Sequence, residues 1–209
     1  MTAVTAGEPV PHHENLETVF RRQRTGVVLL LVADVAFVGS LVFSYFYLRG
    51  LNTEGGWLAK DMSIAPIWEG WALAGGLVVS AAVYYWGQVG LTRDNNVRQL
   101  KTATALATFV VLLDAVGQVA QLVSLPFGVQ DSSYASEMYV IAGAGLFHLL
   151  LALFIGVGMW NRSRIGKYSA SDPFQVRIVG IWWTWIAIAA VVTAFTTSFV
   201  ASPNHIVGG

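Results

Sequence analysis

The sequence predicts an all-α polytopic membrane protein, a bundle of five antiparallel transmembrane helices. Three observations carry that expectation. The 209-residue chain is 55% hydrophobic and only 11% charged, outside the usual composition of water-soluble domains. Five apolar segments, at roughly 25–48, 67–91, 100–125, 137–160 and 176–200, reach the ~20 residues that a bilayer crossing needs. The twelve Lys and Arg are also strongly segregated along the chain.

The elements follow in chain order. Residues 1–20 form a polar tail that includes His12 and His13, and the bundle occupies 21–201. The first span follows "FRRQRT"; its apolar run is too long for a secretory core and no small-residue cleavage motif follows it, so it reads as a helix that stays. Pro66 suits the start of the second span, which has no charge between Gly70 and Thr92. "LPFG" at 125–128 closes the third. The fourth has no charge between Met138 and Asn161, and "SDPF" offers Asp172 as N-cap with Pro173 at the first helical position of the fifth. A short tail, 202–209, ends the chain. The connections are short, which makes consecutive helices antiparallel neighbours.

Orientation follows from the basic residues. Arg21, Arg22, Arg24, Arg93, Arg98, Lys101, Arg162, Arg164, Lys167 and Arg177 fall on one side; Arg49 and Lys60 fall on the other. The sequence therefore predicts a multi-pass protein of the inner (plasma) membrane, N-terminus cytoplasmic and C-terminus outside.

Composition also narrows the chemistry. The absence of Cys removes disulfides, thiolate metal sites and cysteine nucleophiles. A formal net charge of zero gives no reason to expect nucleic acid. Of four His, only His148 lies in a span, so this chain alone offers too few ligands for a bis-histidine haem or a copper site, and no metal is expected in it. There is no glycine-rich phosphate loop, HExxH or GxSxG, and no internal repeat of the kind that builds transporters.

What remains are polar residues inside the spans. Asp34, Asp114 and His148 are functional-site candidates by virtue of depth; the competing reading is that each simply joins helices through a hydrogen bond. Asp34 shares a face with Phe37, Val38, Leu41 and Tyr45. A lone charge there costs roughly 2.5–3.5 kcal/mol even on the lenient insertion scale, so Asp34 should be paired, with His148 or with a lipid head group, or neutral. Asp114, Gln118 and Gln121 make one polar stripe, which must face protein because amides do not face hydrocarbon. Ala144, His148, Ala152 and Gly156 recur every four residues, a spacing that lets helices approach closely.

Taken in order, these segments resemble subunit III of the haem–copper cytochrome c oxidases in its short five-helix form. "ADVAFVGSLVFSYFYLR" puts an acid ahead of an aromatic ending, with Asp34 where that family usually has Glu. Gln118 matches the family's QxxE segment and Gln121 replaces its acid. In "SSYASEMYVIAGAGLFHLL", Tyr134, Tyr139, Gly143 and His148 fall on matching positions, while Gly145 stands where the family has its first histidine. "IWWTW" is similar to the family's Trp-rich last span. The resemblance covers about residues 20 to 200.

It implies a subunit without a catalytic centre or cofactor of its own, packed beside a catalytic subunit I and a subunit II that carry haem and copper. Such a subunit holds membrane phospholipids, supports proton uptake and prolongs the working life of its partner. The resemblance makes Asp34 and His148 lipid- or proton-related residues. Two other readings stay open: an accessory protein of a nitric oxide reductase, and an independent small transporter using Asp34, Asp114 and His148 as a relay.

Overall fold

A computed structural model describes residues 16–52 and 55–202. Most of the two tails, with His12, His13 and His205, lies outside the described residues. Five helices form: α1 Leu16–Leu51, α2 Ile67–Asp94, α3 Val97–Ser124, α4 Ser133–Arg164 and α5 Phe174–Thr197. All five are long and apolar enough to cross a membrane, and the chain is a multi-pass membrane protein. The helices contain the expected spans, except that α3 and α5 end before them. For α5 the reason is local. After Ser198 the chain turns across the end of α1, where Trp57 Nε1 donates to the Val200 carbonyl at 2.6 Å and Ser202 Oγ donates to the Arg49 carbonyl at 2.9 Å.

The helix boundaries show why the sequence breaks where it does. Pro66 caps α2 in extended conformation. Asn95 takes the left-handed conformation (φ 49°) that closes α2, and Asn96 Oδ1 accepts from the Gln99 N–H at 3.0 Å to open α3. Ser132 Oγ caps α4 by accepting from the Ala135 N–H at 3.1 Å. The expected cap at Asp172 is not made. Pro173 is the N-cap of α5, and Asp172 lies in the preceding turn, its N–H donating to the Ser169 carbonyl at 3.2 Å.

Helices α2 to α5 form the packed core, and among the described helices α1 packs only on α4 and α5. Trp183 is fully buried at the centre, stacked on Tyr84 with ring centroids 4.9 Å apart. Its indole N–H donates to Ser80 Oγ at 2.8 Å, and Ser80 in turn donates to the Ala107 carbonyl at 2.9 Å. The predicted ridge on α4 is where close approach occurs: a side chain at Gly156 would run into Thr108 of α3 and Trp183 of α5. A second apolar cluster, Tyr45, Trp57, Phe127 and Tyr134, gathers the loops at the opposite end from the basic residues.

The two ends are fixed by contacts between loops. Phe20 of α1 meets Phe174 of α5 at 4.7 Å, Asn95 Oδ1 accepts from the Ala170 N–H at 2.8 Å, and Arg162 donates to Gln175 at 2.6 Å. The start of α1, the α2–α3 turn and the α4–α5 loop therefore share one end, and the ten basic residues lie there. In that loop Tyr168 donates to Met159 Sδ at 2.9 Å, and burial raises its phenol above the usual tyrosine range.

Candidate functional site

Asp34 lies on the stripe Asp34–Val38–Leu41–Tyr45 that turns α1 toward the bundle; the last three are buried. Across from it, the close-packed ridge of α4 presents His148, also buried. His148 Nε2 sits 2.9 Å from Asp34 Oδ1 and 3.0 Å from Oδ2. Trp185 of α5 donates its indole N–H to Asp34 Oδ2 at 2.5 Å. An ionised carboxylate has only acceptors, so in that state both rings aim an N–H at it. Three helices are thus tied at one carboxylate, at the point where α1 has little other packing. Phe37 and Trp182 flank the His148 ring at 6.5 and 6.3 Å between centroids, and the pair is mostly buried, which makes each hydrogen bond stronger than it would be in water.

Of the two partners expected for Asp34, the structure brings in His148. Trp185 was not singled out by sequence reasoning. Its helix carries three indole donors, Trp182, Trp183 and Trp185, with nothing in the sequence to choose among them. Which of the three reaches Asp34 depends on the rotation of α5, and that is set by Trp183 filling the core.

The stripe on α3 is buried and faces the interior: Asp114, Gln118 and Gln121 are all under a tenth exposed. Gln118 Nε2 donates to Gln121 Oε1 at 2.6 Å. Asp114 lies against Gly76 of α2, where a side chain on that glycine would occupy the carboxylate's place. The structure does not bring this stripe into contact with Asp34; among the described residues the two polar groups are separate. A further buried acid, Glu137, also escaped the sequence reading because it sits at the edge of the fourth apolar run. Ser44 of α1 donates to its Oε1 at 2.5 Å, which makes a second polar tie between α1 and α4. No cluster of three or more His, Asp or Glu able to hold a metal forms among the described residues.

With this geometry in view, the chain can be set beside a known protein to which it is similar. It is 22% identical over 176 residues to "Cytochrome c oxidase subunit 3" of Thermostichus vulcanus. The match covers 84% of this chain and 85% of that protein. No protein-family model matches. The similarity therefore extends over most of the chain at low identity, and it points the same way as the ordered motifs in the spans.

Proposed function

We propose that this chain is an accessory, non-catalytic subunit III of a respiratory haem–copper terminal oxidase. The observation that carries this reading is the match to a cytochrome c oxidase subunit III across 84% of the chain and 85% of the relative. A match of that extent on both sides is more than a shared fragment. On this reading subunits I and II hold the haem and copper, while this chain supports stability, phospholipid binding and proton uptake in the catalytic subunit. The Asp34–His148–Trp185 group fits a supporting role. It is a closed polar tie with every partner supplied by the chain, and its carboxylate sits on the helix least embedded in the bundle.

The test is purification of the full chain from its native membrane in mild detergent. A subunit emerges with larger partners and a haem spectrum in constant ratio. A chain that emerges alone, without haem-bearing partners, overturns the proposal and returns the transporter reading.

A further inference from the structure

A partly open cavity lies among α2 to α5, and none of Asp34, His148 or Trp185 lines it. It runs from Gly70 and Thr197, near the end without the basic cluster, inward to Leu77 and Leu149. Its space is about 70 Å³. Small residues create it: Ala142 and Gly145 on α4 leave open the volume that larger side chains would fill. On the α3 side its wall is polar, Gln118 and Gln121.

The hydrogen-bond inventory of that wall is incomplete. Gln118 Nε2 and Gln121 Oε1 satisfy each other. Gln118 Oε1, which faces Gly145, and the Gln121 amide N–H groups have no partner among the described residues. One turn deeper on α3, Asp114 Oδ2 is buried and also without a partner. Leaving such groups bare costs on the order of 1–3 kcal/mol each, more for a charged one. Neither lipid nor an apolar side chain can relieve that cost.

We propose that this cavity is a water site: a small cluster of water molecules hydrogen-bonded to Gln118 and Gln121. Size and chemistry decide the ligand. One water takes roughly 10–15 Å³ of space measured this way and needs two to four polar partners, so the cavity holds a handful. An organic ligand site is roughly 300 Å³ or larger. The free acceptor on Gln118 and the free donors on Gln121 suit a molecule that both donates and accepts. This holds whether or not the oxidase reading does.

Two measurements on the full-length protein in its native complex test it. High-resolution maps with and without xenon pressurisation should show ordered water within hydrogen-bonding distance of the Gln118 amide and no xenon in the cavity, because xenon enters dry apolar cavities. Xenon bound between Gly145 and Gln118 would overturn the proposal. Ala142→Val puts methyl groups into the same space. Filling a dry cavity stabilises, whereas displacing water from unpartnered amides destabilises, so the melting temperature should fall by several degrees. A rise would overturn the proposal. Should Ala142→Val fail to assemble, the wild-type maps decide alone.

Discussion

Asp34 is exposed to opposing demands. Its depth in the bilayer makes charge expensive, and its place on the sparsely packed α1 makes a strong contact valuable. Trp185 and His148 meet both demands by filling its acceptors. Trp185→Phe keeps the ring and removes one N–H. Interhelical hydrogen bonds in membranes are worth about 0.6 kcal/mol on average and up to about 1.7, and a bond to an ionised group sits at the upper end. The substitution should destabilise the folded chain by about 1–2 kcal/mol, read as an earlier midpoint in denaturant titration of the purified complex. Asp34→Ala removes both bonds at once. If this chain is a supporting subunit, the initial turnover of the assembled complex should stay close to wild type. Its lipid content or its durability during turnover should change. Immediate loss of activity in a complex with normal haem spectra would instead place an obligatory proton path through Asp34.

At the level of the helices, the ridge Ala144–His148–Ala152–Gly156 shows what a sequence can reveal. Its four-residue spacing is visible without coordinates, and α4 does use it for close approach, with Gly156 against Thr108 and Trp183. Gly156→Leu should force α3 and α5 away from α4. Overpacking of this kind costs about 1–3 kcal/mol or more, so a loss of stability or of assembled protein is expected in a thermal-shift assay. The stripe on α3 was legible for the same reason: amides at offsets of four and seven cannot face lipid. Trp185 and Ser44 were not legible as partners. Nothing in their own helices says that they face an acid; that depends on which helices are neighbours and how each is rotated. The cap of α5 was misplaced by one residue: the local rule favours Asp172 as N-cap, yet the helix starts after Pro173. The turn through Ser169, a feature of the loop before them, decided between them.

For the molecule as a whole, the segregation of charge was the plainest sequence signal. The bundle gathers the ten basic residues at one end, with the α2–α3 turn and the α4–α5 loop packed beside the start of α1. By the positive-inside rule we propose that this end is cytoplasmic. Reporter fusions at residue 95 and at residue 205 should therefore report opposite faces of the membrane, cytoplasmic for the first and external for the second. The same face for both would mean that one of the five helices does not cross.

The sparse packing of α1 also has a consequence in time. α1 leaves the ribosome first, yet the helices that hold it are made last. His148 lies 114 residues after Asp34 and Trp185 lies 151 residues after it. At synthesis rates of roughly 5–20 residues per second, Asp34 waits on the order of six to thirty seconds for its partners. During that interval α2 and α3, adjacent in sequence and joined by the two-residue Asn95–Asn96 turn, can already pair. The first helix to be synthesised is thus the last to be secured, and through the delay its aspartate rests in lipid or in the insertion machinery with no donor from its own chain.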